Sequence, residues 1–221
     1  MLTMASDQRL FVAVAGNIGS GKSTLTKLLS GHFNWEPYFE SVDDNPYLSD
    51  FYAHMKRWSF HLQVYFLSKR FMNQKQILES ERSIIQDRTI YEDAEIFARN
   101  LYEIGQMDER DYRNYRELFK VMTNYLKAPD LLIYLRASVD TLLRQIAMRG
   151  RDFEKGITRE YLEQLNRHYE DWISHYNLGP LLCIKSDVID FVKNGDHLLR
   201  IVESVDSKLK EIGVLVSSPA S

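Results

Sequence analysis

Short apolar runs alternate along the chain with longer stretches whose apolar residues recur at helical spacing. Strands are predicted at Leu10–Ala15, near Pro37–Glu40, and at Ser83–Gln86, Leu131–Leu135 and Leu181–Ile184. Helices are predicted over about Pro46–Glu79, Tyr91–Tyr102, Glu109–Lys127, Val139–Arg149, Arg159–Tyr176 and His197–Ile212, the first of them rich in aromatic and long side chains. Strand and helix in alternation predict parallel strands joined by helical crossovers, hence an α/β fold with a five-stranded parallel sheet and helices on both faces. Ligands of such sheets bind beyond the carboxyl ends of the strands. There is no internal repeat and no linker rich in Pro, Gly or Ser, so residues 1–213 are expected to form one domain and residues 214–221 a frayed, disordered tail.

The turn after the first predicted strand reads Gly16-Asn-Ile-Gly-Ser-Gly-Lys-Ser23, the spacing G-x-x-x-x-G-K-[ST] of a phosphate-binding P-loop. Thr24-Leu-Thr-Lys-Leu-Leu29 follows at helical spacing, so the motif sits at a strand-to-helix turn, where the pattern carries a mechanism. Glycines let the backbone aim its N–H groups at phosphate oxygens, and the helix N-terminus adds partial positive charge there. Lys22 can reach the outer phosphates and the Ser23 hydroxyl can bind Mg²⁺. The spacing is not that of the dinucleotide fingerprint G-x-G-x-x-G, which sets NAD aside.

With 221 residues, 44% of them hydrophobic, the chain can bury the core of a single α/β domain. A net charge of −3 suggests neither a nucleic-acid nor a membrane surface. The N-terminus has no basic, apolar leader pattern and no run approaches the length of a membrane span, so a cytoplasmic protein is expected. The single cysteine, Cys183, lies in an apolar run and is expected to be a buried structural thiol. The histidines are scattered; His168 and His175 share a helix face but show no metal-ligand spacing.

Phosphoryl transfer needs positioned phosphates, neutralised charge and a base near the nucleophile. Arg88, at a strand end, and Arg149 and Arg151, in the polar, glycine-flanked segment Arg149-Gly-Arg-Asp-Phe-Glu-Lys-Gly156, are candidates for the charge; that segment, about 149–157, would make a short Arg-rich lid. For the base there are two carboxylates, Glu36 and Glu40. Glu40 follows Tyr38-Phe39 and precedes a turn-rich stretch, which places it at the strand's carboxyl end and favours it. Asp87 ends the run Ile84-Ile-Gln86 and can hold Mg²⁺ directly or through water, or cap the following helix.

From about Phe11 to Tyr176 the chain resembles the deoxyribonucleoside kinases, in particular the bacterial deoxyadenosine/deoxyguanosine type. The resemblance rests on Gly16–Ser23, Glu40-Ser-Val-Asp-Asp-Asn-Pro-Tyr47, Lys56-Arg-Trp-Ser-Phe-His-Leu-Gln63, Asp87-Arg-Thr-Ile-Tyr-Glu-Asp93, Pro129-Asp-Leu131, and Arg149-Gly-Arg151 with Glu154, in that order and spacing. It implies a P-loop kinase fold, a homodimer, and transfer of the γ-phosphoryl of ATP, with Mg²⁺, to a 5′-hydroxyl in deoxynucleotide salvage. The acceptor it implies is a purine deoxynucleoside, deoxyadenosine first and deoxyguanosine second.

The same resemblance implies roles for individual residues. Gly16, Asn17, Ile18, Gly19, Ser20, Gly21, Lys22, Ser23 and Thr24 would cradle ATP, and Ser23 and Asp87 would hold the metal. Glu40 would take the 5′-hydroxyl proton, a role suited to a carboxylate. Tyr52 and Glu154 would hold the 3′-hydroxyl. Gln63 would read the base edge with its amide, with Arg70 and Asp93 as companions and Trp58 as an apolar wall. Arg88 would bridge the 5′-oxygen and the phosphates, and Arg149 and Arg151 would grip the transferring group. Asp87 and Thr89 stand where Glu and Ser are expected, and Arg144 lies one position from an expected lid arginine, where Gln145 stands. Phe66 disfavours cytidine. Two other readings share the P-loop: a nucleoside monophosphate kinase, and a non-catalytic nucleotide-binding regulator. A GTPase-like switch lacks both N-K-x-D and D-x-x-G.

Overall fold

The computed structural model describes residues 9–39, 45–151 and 154–214. Glu40, part of the lid and nearly all of the expected tail lie outside them. Five parallel strands form one sheet: β1 (Phe11–Gly16), β2 (Glu36–Tyr38), β3 (Ile84–Asp87), β4 (Leu131–Arg136) and β5 (Leu181–Lys185), in the order β2-β3-β1-β4-β5. β1 is central. Its side chains go to the two faces in turn and all are buried, as a strand covered on both sides requires.

On one face Val12, Val14, Ile133 and Leu135 pack against α1 (Lys22–Phe33) and, later in the chain, α9 (Gly195–Glu211). Leu25 and Leu29 of α1, one turn apart, are fully buried there, each worth about 1.5–3 kcal/mol of apolar burial. On the other face Phe11, Ala13, Leu132 and Tyr134 meet Ile77, which comes from a helix that runs from Met55 to Glu79, and Leu165, Tyr169 and Ile173 from one that runs from Arg159 to Ser174.

The expected helix Pro46–Glu79 is two helices, α2 (Leu48–Ala53) and α3 (Met55–Glu79), broken at His54 (φ −144°, ψ 68°). Beyond β3, α4 (Ile90–Glu92) runs into a π-helical turn, Asp93–Ala98, and then α5 (Arg99–Glu103). α6 (Glu109–Thr123) packs on α3. α7 (Val139–Arg149) and α8 (Arg159–Ser174) flank the lid segment, each started by a hydroxyl cap: Ser138 accepts from the Thr141 N–H and Thr158 from the Tyr161 N–H. No described helix is long and apolar enough to cross a membrane.

Cys183 corrects an expectation: it is exposed, not buried. It sits on β5, an edge strand paired only with β4 among the described strands, beyond the cover that α8 gives to Tyr134.

Candidate active site

The P-loop leaves the carboxyl end of β1. Gly16 has φ +152°, and a Cβ there would meet Ser20 Oγ at 2.7 Å and the Leu135 carbonyl at 2.8 Å. Gly19, at φ +82°, would meet the Leu142 carbonyl at 2.8 Å, so the loop's curvature depends on both glycines. Asn17 pins the loop to α8: its Nδ2 donates to the Leu162 carbonyl (3.1 Å) and to Asn166 Oδ1 (2.7 Å). Lys22 Nζ donates to the Asn17 carbonyl at 2.9 Å.

β3 delivers the acidic and basic groups. Val14 and Asp87 are register partners, and the Arg88 N–H donates to the Val14 carbonyl at 2.9 Å. The Ser23 hydroxyl donates to Asp87 Oδ2, while Asp87 Oδ1 is buried with no hydrogen-bond partner. This donor set, a hydroxyl beside a carboxylate oxygen left over, fits a hard divalent cation. Asp87 does not cap the next helix; Thr89 does, with Glu92 in a capping box. Arg88 holds φ +69° and lays its guanidinium over the Phe97 ring, 4.4 Å from the centroid.

A cavity of about 320 Å³ opens beside these groups. Ile18, Gly19, Lys22 and Ser23 of the P-loop line it, with Asp87, Arg88, Arg149, Arg151 and Glu154; Tyr52, Gln63 and Asp93 also line it, with Phe51, Leu62, Phe66 and Phe97. Gln63 is 4% exposed, and its Oε1 has no hydrogen-bond partner. Arg70 is not part of the lining. It stands behind Asp93, its Nε 2.5 Å from Asp93 Oδ2, and its Nη1 donates to the Arg88 carbonyl at 3.0 Å. Trp58 is not part of the lining either; it packs against Tyr47 and His61 and is stacked by Arg57. Glu154 gathers the lid cations: Arg149 makes a two-point pair with it, Nε to Oε2 at 3.0 Å, and Arg151 lies 3.8 Å away.

Glu36, the weaker candidate for the base, lies at the amino end of β2 and accepts from the Ser80 hydroxyl at 3.3 Å, at the wrong end of the sheet for transfer chemistry. Glu40, the favoured base, lies outside the described residues. Arg144 binds Thr141 Oγ1 (3.1 Å) and does not reach the cavity. Tyr161 and Phe97 line the cavity and carry no motif; both fall on apolar helix stripes that read as core. Burial pushes the Tyr161 hydroxyl up to about 12, against the pull of nearby Arg88.

A P-loop with a strand-end acid and a buried arginine, and with Arg149 and Arg151 lining the same cavity, defines a P-loop kinase. The sequence model of the family described as deoxynucleoside kinase matches residues 12–210. The chain belongs to that family, whose members phosphorylate deoxynucleosides. It is 42% identical to the deoxyadenosine/deoxycytidine kinase of Bacillus subtilis (strain 168), over 90% of this chain and 93% of that protein. It is 38% identical to a deoxyadenosine kinase of Lactobacillus acidophilus, covering 92% and 98%. Among solved structures, deoxyadenosine kinase from M. mycoides with bound dATP superimposes with a TM-score of 0.80 at 31% identity, covering 90% of this chain and 100% of that one.

Proposed function

We propose that the enzyme transfers the γ-phosphoryl group of ATP to the 5′-hydroxyl of deoxyadenosine. The observation that carries the choice of base is Gln63 Oε1, a buried acceptor without a hydrogen-bond partner on a residue that lines the cavity. An orphaned acceptor favours a base that offers an amino group, because leaving it unpaired on binding would cost about 1–3 kcal/mol. Adenine presents such an amino group at C6, where guanine has a carbonyl and carries its amino group at C2 instead. Cytosine also has one, but Phe66, which disfavours cytidine, lines the cavity.

In this reading the P-loop N–H groups and Lys22 hold the phosphates, and Arg88 lies between them and the 5′-oxygen. Tyr52 and Glu154 hold the 3′-hydroxyl, Gln63 and Asp93 read the base, and Arg149 and Arg151 grip the group in transit. Glu40 takes the hydroxyl proton. Ser23 and Asp87 would hold Mg²⁺, which neutralises charge on the phosphate oxygens as transfer proceeds.

The reading also includes a homodimer. Leu118, Val121 and Tyr125, 39, 58 and 73% exposed, form an apolar stripe along and just beyond α6, and a second copy of the chain would cover it.

Initial rates with Mg-ATP over the four deoxynucleosides and their monophosphates test the substrate. Selective turnover of deoxyadenosine supports the reading; turnover of monophosphates alone would sink it. Glu40→Ala is expected to lower kcat by about 10²–10⁴-fold with little change in nucleoside Kd; near-normal kcat would remove the role of Glu40.

A further inference from the structure

Glu92 and Tyr169 take no part in lining the cavity, and both are fully buried. Three segments meet at them. Glu92 Oε1 accepts from the Gly16 N–H at 3.2 Å and from the Tyr169 hydroxyl at 2.8 Å. Glu92 Oε2 accepts from the Thr89 N–H at 2.7 Å and the Thr89 hydroxyl at 3.3 Å. The Tyr169 oxygen also lies 2.8 Å from the Gly16 carbonyl and receives Arg88 Nη1 at 3.4 Å.

A capping box explains Oε2 and nothing more. Capping the start of the helical run that begins at Ile90 needs neither the second oxygen nor a tyrosine brought from α8. What the second oxygen and the tyrosine hold is the first residue of the P-loop: Oε1 takes the Gly16 N–H, and the Tyr169 hydroxyl lies between Oε1 and the Gly16 carbonyl, its one proton shared between them. Oε2 meanwhile holds the residue that follows Arg88. That arginine keeps a φ of +69°, which costs energy in a non-glycine residue and persists only where neighbours over-determine it. Burial raises the Tyr169 hydroxyl well above its ordinary value, so it stays protonated, with a hydrogen to give and a lone pair for Arg88.

We propose that Glu92 and Tyr169 are positioning residues for phosphoryl transfer: the carboxylate–hydroxyl pair fixes the P-loop entrance and the Arg88 guanidinium in one frame. The phosphate cradle and the cation at the 5′-oxygen then cannot shift independently. The inference rests on the roles given above to the P-loop and Arg88.

Tyr169→Phe removes one oxygen and leaves the ring stacked on Tyr134, 5.8 Å between centroids. At a temperature where circular dichroism shows the variant fully folded, kcat is expected to fall about 10–100-fold, with nucleoside KM changed less than about threefold. A merely structural tyrosine would lower Tm and leave kcat of the folded protein intact. Added to Arg88→Ala, Tyr169→Phe is expected to cost less than about threefold further, because both act through one group. Glu92→Gln turns an amide donor toward the Gly16 or Thr89 N–H and is expected to raise KM for ATP about tenfold with nucleoside KM unchanged; should that variant not fold, Tyr169→Phe carries the test alone. A folded Tyr169→Phe within about twofold of wild-type kcat, or losses that multiply fully with those of Arg88→Ala, would overturn the inference. A wild-type kcat in Arg88→Ala itself would overturn the site reading, and the inference with it.

Discussion

Arg70 and Asp93 are each 2% exposed and 2.5 Å apart, an ion pair taken out of water. Such a pair gains little over an apolar pair, but removing one partner strands a buried charge. Arg70→Ala is therefore expected to cost about 3–5 kcal/mol of stability by denaturant unfolding. Because Asp93 lines the cavity, its altered surroundings should also shift the ratio of deoxyadenosine to deoxyguanosine turnover. An unchanged substrate profile in the folded variant would separate Arg70 from base recognition. The family resemblance names Arg70 and Asp93 as companions in the base pocket but does not say which of them lines it. Whether an arginine touches substrate or backs a residue that does is set by packing between α3 and the π-helical turn, to which no local pattern responds. Trp58 fails to reach the cavity for the same reason: an aromatic on a helix shows its spacing, not its neighbours.

Asp187, just past β5, joins two elements. It accepts from the Ser138 N–H at 2.9 Å and the Ser138 hydroxyl at 2.7 Å, tying the segment after β5 to the start of α7. A few residues on, Phe191 lies 3.0 Å from where a Cβ on Gly21 would sit, so the same segment backs the P-loop. Burial alone would raise the Asp187 carboxyl, but hydrogen bonds from Thr141 and Ser138 hold it below its ordinary value of 3.8. A carboxyl depressed by folding stabilises above that value and loses its contribution as pH falls through and below it. Thermal melts should thus show Asp187→Asn less acid-sensitive than wild type below about pH 4, with the gap between the two widest at neutral pH; parallel curves would show that the clamp carries no linkage. At this scale the sequence is largely transparent. Strand positions follow the apolar runs within a residue or two, and α7 matches its expected bounds. Two features are opaque. His54 breaks a helix without proline or glycine, and the turn Asp93–Ala98 widens to π geometry inside a stretch whose spacing suits an ordinary helix. That turn presents Asp93 and Phe97 to the cavity while Glu95 reaches Arg116 at 2.7 Å.

The cavity and the apolar α6 stripe are separate surfaces, so the proposed dimer could be broken without touching the proposed site. Val121→Asp with Tyr125→Asp is expected to convert a dimer to a monomer in sedimentation, with the secondary-structure content kept; an unchanged mass would place the contact elsewhere or remove it. Cys183 shows what strand pattern alone leaves out: its apolar run predicted a buried thiol, and only the strand order makes β5 an edge. That order has a further consequence. The first strand made is the central one, and its partners come late: Phe11 pairs with Ile84 and Val12 with Leu131. Contact order is high where it matters most: α1 can cover one face of the uncharged run Phe11–Gly16 early, but no strand made early can pair with it. During synthesis this segment is expected to keep both edges unpaired, an aggregation-prone state, until β3 and β4 have emerged. ATP cannot relieve that wait, because its cradle does not exist until β1 has been flanked. Nucleotide is therefore expected to protect finished molecules from unfolding without raising the yield of refolding, which refolding with and without Mg-ATP would check.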